Sequence, residues 1–211
     1  MSKLTIIVAA TLNNGIGQHG HLPWRLKKEM QYFARITSNA SEGSVNAVLM
    51  GRNTWESIPT KFRPLPKRVN VIVSRNKDYE LLPADAPMPS APAFLHWNLD
   101  SALDRLAHSE QLDAPIHRTF VIGGASLYQE TLSLPPSGAF VDRVLLTRIL
   151  EPVFEQCDVY MPNFLGEEDR VGDAVWRKMS HAELQEWAGF EVPEGVQEEN
   201  DVKYEFQMWT R

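Results

Sequence analysis

Phe120-Val121-Ile122-Gly123-Gly124-Ala125-Ser126-Leu127-Tyr128 reads as a buried strand that passes through a two-glycine turn into a helix. Three apolar residues in succession suit a strand covered on both faces. Gly123 and Gly124 lack the Cβ atoms that would block close approach, and the first N–H groups of the helix have no partners of their own. Those N–H groups and the helix dipole favour an anion. Taken alone, the stretch is also compatible with an ordinary tight turn, so its recurrence elsewhere is what gives it weight.

Working outward, the same layout returns twice. Met50-Gly51-Arg52-Asn53-Thr54 is a strand end, a glycine and a helix start carrying a hydroxyl and a guanidinium. Val73-Ser74-Arg75-Asn76 closes another strand on a hydroxyl and a guanidinium. Three such strand ends suggest one ligand with several phosphates. A dinucleotide with an extra phosphate monoester fits, with Arg52 and Arg75 as its partners.

The strands expected from the apolar runs are Leu4–Thr11, Asn46–Met50, Arg68–Ser74, Ala93–Trp97, Arg118–Ile122, Arg143–Ile149, Val175–Ser180 and Tyr204–Thr210. Most of the early runs are continuously apolar, as in a parallel sheet with helices on both sides. Tyr204–Thr210 alternates, which suits an edge strand with one wetter face. Helices are expected over Trp24–Ser38, from near Thr54, over Leu99–His108 with Asn98 or Asp100 as cap, and over Ser126–Leu132. Strands alternating with helices define an α/β class with a mostly parallel sheet and a ligand at the strands' carboxyl ends. Leu82–Pro92, with Pro83, Pro87, Pro89 and Pro92, reads as a surface loop, as do Leu134–Gly138 and Pro162–Ala174. With no internal repeat or domain linker, residues 1–211 are expected to form one domain.

One residue breaks the pattern of the first helix. In His21-Leu22-Pro23-Trp24-Arg25-Leu26-Lys27-Lys28-Glu29-Met30-Gln31-Tyr32-Phe33, Pro23 is suited to a first helical turn. Leu26, Met30, Phe33 and Ile36 then recur at helical spacing, and Glu29 falls on their apolar stripe. A carboxyl on a buried face is costly when charged and is raised in pKa. It is therefore a candidate to hold or protonate a polar ligand. The bland alternative is a helix-edge glutamate that reaches solvent or pairs with Arg25.

Composition narrows the classes. The chain has 211 residues, 43% apolar and 23% charged, with a net charge of −6. A single cysteine, Cys157, excludes an internal disulfide framework and a thiolate metal cluster. His19 and His21 have no third ligand nearby in sequence, so no metal site is expected. Leu4–Leu12 is too short and too β-branched for a signal peptide, and no run approaches a membrane span. A cytoplasmic protein is expected, with no membrane or nucleic-acid partner. Residues 51–75 carry six basic side chains and one acid, +5 against −11 for the remainder, which suits a small anionic ligand. Gly15-Ile16-Gly17-Gln18-His19-Gly20 matches a dinucleotide fingerprint, but Pro23 prevents a helix from opening at its third glycine. A mobile loop that closes over a ligand is the better reading of these glycines.

Read together, residues 12–33, 48–59, 62–75 and 120–130 and the tail Lys203–Arg211 resemble dihydrofolate reductase, in consistent order over nearly the whole chain. Length and proline-rich insertions resemble the longer eukaryotic, fungal-type members. The resemblance implies a twisted, mainly parallel eight-stranded sheet with an antiparallel C-terminal strand, flanked by about four helices. It implies reduction of dihydrofolate to tetrahydrofolate by NADPH, in support of one-carbon metabolism, and inhibition by antifolates; a monomer is expected. It also implies roles. Glu29 would hydrogen-bond the pterin and support protonation of N5 through water, with Thr147 at the same edge. Leu22 and Trp24 would lie on the mobile loop and its root. Val8, Ala9, Met30, Phe33, Ile58, Leu65, Ile122 and Tyr128 would line the substrate, and Arg68 would pair with the carboxylate of its glutamate tail. Ala9, Ile16, Gly17, Gly51, Arg52, Asn53, Thr54, Ser74, Arg75, Gly123, Gly124, Ala125, Ser126, Leu127 and Tyr128 would bind the cofactor. Met30 departs from the aromatic that many members carry, and Asn53 from a position that is often basic. Two rivals stand beside this reading: a reductase of the same fold acting on a pyrimidine or ribityl precursor, and a non-catalytic nucleotide-binding module. The pairing of Glu29 with Thr147 argues against the first, and the intact arginine set against the second.

Overall fold

The computed structural model describes residues 2–82, 89–108, 112–165 and 176–211. Its centre is β1 (Lys3–Thr11), beside β6 (Ile116–Gly123) and β7 (Phe140–Glu151). Beyond β6 lie β3 (Val45–Gly51), β4 (Arg68–Val73) and β5 (Ala93–His96), every neighbouring pair parallel. Beyond β7, β11 (Val202–Thr210) runs antiparallel and carries β10 (Gln197–Glu199) and the two-residue β9 (Arg177–Lys178). An eight-strand path with an antiparallel C-terminal strand was expected. β11 is not its edge, however, because β10 and β9 cover its two ends. Burial along β11 follows no strict alternation for the same reason.

Both sheet faces are covered. Leu4, Ile6, Val8 and Ala10 of β1 pack in one cluster with Leu99 and Ala102 of α3 (Leu99–Ala107) and Leu127 and Leu132 of α4 (Ala125–Leu132). Ile7 points to the other face. It joins Tyr32 and Ile36 of α1 (Lys27–Ser38), Trp55 of α2 (Arg52–Ser57) and Leu184 of α5 (His181–Ala188). A period of two on a strand divides its residues between two layers, which is why β1 reads as an unbroken apolar run. Asn98 caps α3 by accepting the Ser101 N–H at 2.8 Å, a contact of about 1 kcal/mol.

Four expectations are corrected. The first helix begins at Lys27, not Trp24, so Pro23 lies outside it. Its first N–H groups are met by a side chain from the far end of the chain, Glu199. The strand expected at Val175–Ser180 is confined to Arg177–Lys178; Val175 lies outside the described residues. Helix α5 follows directly and was not expected, although Ser180 and Glu183 form a capping box and Gly189, at φ +73°, ends the helix. Finally, the glycine run near residue 15, expected as a mobile loop, forms the short strand β2 (Gly15–Gly17), paired with β8 (Val159–Tyr160). A Cβ on Gly15 would lie 2.6 Å from the Cys157 sulfur, so this loop is packed against residues 154–161. Of the loops expected, residues 83–88 and 166–174 lie outside the described residues.

Candidate active site

β1 and β6 pair only from Leu4↔Thr119 to Ile6↔Val121. Past that point the Ile7 carbonyl accepts the buried Tyr128 hydroxyl at 3.0 Å. β1 stays paired with β7 as far as Thr11↔Ile149. The sheet therefore parts at the carboxyl ends of β1 and β6, the position at which open α/β sheets bind ligands.

Glu29 stands on the β7 side of this opening. The register Ala9↔Thr147 and Thr147↔Phe206 sets three residues in a row across β1, β7 and β11. The Thr147 hydroxyl donates to Glu29 Oε1 at 3.2 Å. Glu29 is 6% exposed, and burial raises its carboxyl from 4.5 to about 7; the Thr147 bond opposes that rise and the charge of Glu199 adds to it. The carboxyl consequently exchanges a proton near neutral pH. It makes no pair with Arg25. Tyr32, Tyr128 and Tyr204 feel its charge, and burial holds all three phenols protonated, Tyr204 at about 12. The Trp24 indole N–H and the Tyr32 and Tyr204 hydroxyls are buried without a partner among the described residues.

The apolar residues expected around the substrate fall in two clusters. Tyr32, Leu65 and Ile122 lie in one buried cluster, with Phe33 and Ile58 packed on it. Trp24, Leu26 and Tyr204 form another, with Ala9 packed on it. Met30 is 49% exposed and Leu22 is 48% exposed, so neither belongs to the packed wall. Of the stripe expected of Leu26, Met30, Phe33 and Ile36, Leu26 and Ile36 are buried and Phe33 is half-buried, while Tyr32 takes the buried place of Met30 beside Glu29.

On the other side of the opening, Met50↔Gly123 aligns the ends of β3 and β6, so α2 and α4 start side by side. Gly123 has φ +121°, a backbone that L side chains rarely adopt. A Cβ there would lie 3.2 Å from the Thr54 hydroxyl and 3.3 Å from that of Tyr128. A Cβ on Gly51 would lie 3.8 Å from the Gly123 carbonyl oxygen and the Gly124 nitrogen. Neither helix has a capping side chain. The N–H groups of Leu127 and Tyr128 bond to the Gly124 carbonyl, which leaves those of Ala125 and Ser126 as the donors of this turn. The Leu127 side chain is in the core, so that residue has no group left for an anion.

Arg52 follows the carboxyl end of β3 and Arg75 that of β4, whereas Arg68 is the first residue of β4. Arg52 and Asn53 are exposed, with Arg52 3.6 Å from Glu56, while Ser74 is buried and its hydroxyl accepts the Asn76 N–H. Arg75 is exposed and has no ion pair among the described residues. Arg68 is only 4% exposed. Its Nε donates to the Pro66 carbonyl at 2.9 Å and one Nη to the Thr37 hydroxyl at 2.6 Å. No carboxylate faces it among the described residues, and burial lowers its pKa to about 10. A buried guanidinium without an anion is costly, so this arrangement favours an anionic ligand. Ile16 and Gly17, expected at the cofactor, lie on β2, partly buried.

Two contributors have no local signal in the sequence. Glu199 reaches α1 from 171 and 172 residues away. Arg148, the neighbour of Thr147, donates to the Thr11 carbonyl and to the Asn14 side chain, holding the end of β1 where the loop begins.

The model of the family described as dihydrofolate reductase matches residues 3–211. Relatives of the same description include those of Pneumocystis carinii, 42% identical over 99% of this chain and 97% of the relative, and Candida albicans, 37% identical over the full length of both. The solved Schistosoma mansoni dihydrofolate reductase superposes with a TM-score of 0.74 at 32% identity, covering 99% of this chain and 98% of that one. Fold and relatives together define an oxidoreductase of the α/β class. The chain belongs to the dihydrofolate reductase family, and fungal members are among its relatives.

Proposed function

We propose that this protein reduces dihydrofolate to tetrahydrofolate with NADPH. The observation that carries the reading is the Glu29–Thr147 contact: a buried carboxyl, protonated or charged near neutral pH, at the parting of the sheet. The pterin would lie against Val8, Ala9, Phe33, Ile58, Leu65 and Ile122, with Met30 and Leu22 at its rim. Glu29 and Thr147 would hydrogen-bond its polar edge. The glutamate tail of the substrate would give Arg68 the carboxylate it lacks, as a charge-assisted pair.

The cofactor side fits a dinucleotide phosphate on its own chemistry. Gly51, Gly123 and Gly124 leave a space that Cβ atoms would fill, and two helix starts face it. Thr54, Ala125 and Ser126 would hold the pyrophosphate. Arg52, Asn53, Ser74 and Arg75 would hold the adenosine phosphate, which favours NADPH over NADH. Bound there, the cofactor supplies a hydride to C6 of the pterin.

The chain's own contribution is to the proton. Reduction of the C6–N5 double bond adds one hydride and one proton, and N5 takes the proton. No histidine, cysteine or lysine lines the parted sheet among the residues placed there. Glu29 would therefore polarise the pterin from its far edge, and the proton would reach N5 through water. The reading is for a cytoplasmic monomer open to antifolates and serving one-carbon metabolism. Loss of NADPH absorbance on mixing with dihydrofolate tests it. Rapid loss, blocked by an antifolate and much slower with NADH, is expected. Binding of NADPH without turnover would favour the non-catalytic module.

A further inference from the structure

Helix α1 cannot cap itself. Its N-cap residue is Leu26, in extended conformation and with no polar side chain to offer. Both carboxylate oxygens of Glu199 take over that task, accepting the Lys27 N–H at 2.7 Å and the Lys28 N–H at 3.0 Å. The next residue, Asn200, donates its side-chain amide to the Arg25 carbonyl at 2.7 Å. Asn200 and Asp201 form the turn between β10 and β11 with φ of +52° and +61°. One tight hairpin therefore grips the start of α1 from both directions.

The grip lies one residue from the catalytic carboxyl. Glu29 follows Lys28, and its side chain is bound to Thr147 on β7, the strand paired with β11. Helix start and carboxyl partner are thus both referred to β11, one through Glu199 and one through the ladder. We propose that Glu199 is a positioning residue of the active site, whose carboxylate closes the first turn of α1 and fixes Glu29 against Thr147. The inference rests on the reading of Glu29 given above. An uncapped helix start also leaves a partial positive charge beside Glu29. Glu199 neutralises that charge and adds a negative one of its own, and both effects favour the protonated form of Glu29.

The other groups acting on Glu29 are the Thr147 hydroxyl from β7, Tyr32 from α1, Tyr128 from α4 and Tyr204 from β11. All stay uncharged at neutral pH. Arg25, Lys27 and Lys28 are exposed around the cap. Glu199 is thus the acid whose removal shifts the balance, while Arg25, Lys27 and Lys28 are unchanged by the variant.

Glu199→Gln keeps the size, loses the charge and gives up one of the two N–H bonds, because an amide nitrogen cannot accept. The side-chain carbon resonance of Glu29 in the ligand-free protein, followed by NMR across pH, is expected to titrate about half a unit lower in this variant. The alkaline fall of kcat/KM should shift down by the same amount. Glu199→Asp, which keeps the charge with a shorter reach, should restore most of the shift. An unchanged Glu29 titration in Glu199→Gln, or an equal fall in both variants, would overturn the proposal and leave a structural cap. If instead Glu29→Gln retained full activity, the function reading would fail, while the resonance titration of Glu199→Gln would still decide whether Glu199 acts on Glu29.

Discussion

Thr147 and Glu29, 118 residues apart, share a buried hydrogen bond of 3.2 Å between strand β7 and helix α1. The hydroxyl supports the charged carboxylate, while burial opposes it. Thr147→Val keeps the volume and removes the donor. The Glu29 titration should then rise above about 7, and stability at neutral pH should fall by roughly 1–3 kcal/mol because a buried acceptor loses its partner. Chemical denaturation and a pH–rate profile check both.

Glu29 makes the fold pay at high pH. Its folded pKa is raised, so stability is fully present below the unfolded value of 4.5 and is lost as pH rises through about 7. A rise of that size corresponds to on the order of 3 kcal/mol. Glu29→Gln does not undergo this loss. Its stability relative to the parent should grow between pH 4.5 and 8, measured by urea unfolding at each pH.

How much of this could be read in advance follows the range of the interactions. Glu29 stood out because an acid on an apolar stripe is a local conflict. The glycine turns stood out because strand, glycine and helix start are consecutive. The start of α1 did not, since its cap comes from Glu199 across the fold, and Pro23 offered a nearer but wrong beginning. Met30 read as core because its spacing is helical, yet the helix is rotated so that Tyr32 takes the buried place. Helix α5 was legible in Ser180, Glu183 and Gly189. The apolar residues before it drew the segment towards a strand.

Gly123→Ala adds a Cβ 3.2 Å from the Thr54 hydroxyl at a φ of +121°. The cost to stability should be about 1–3 kcal/mol. NADPH affinity, read by quenching of tryptophan fluorescence, should fall more than dihydrofolate affinity, because the change falls between the two helix starts.

Arg68→Leu removes a buried guanidinium that has no carboxylate of its own among the described residues. The Michaelis constant for dihydrofolate should rise on the order of 100-fold, the low end of the loss of a buried charge partner. That for NADPH should change little. Equal effects on both would separate Arg68 from the substrate tail.

The most direct test of the central claim is the pH profile of kcat/KM for dihydrofolate in the parent protein and in Glu29→Gln. The parent should lose activity about tenfold per unit above a midpoint near pH 7, as the carboxyl ionises. Glu29→Gln should be folded, should bind NADPH, and should be slow with no such midpoint. Near-parental turnover in Glu29→Gln with the same alkaline fall would contradict the account and place the proton's support elsewhere.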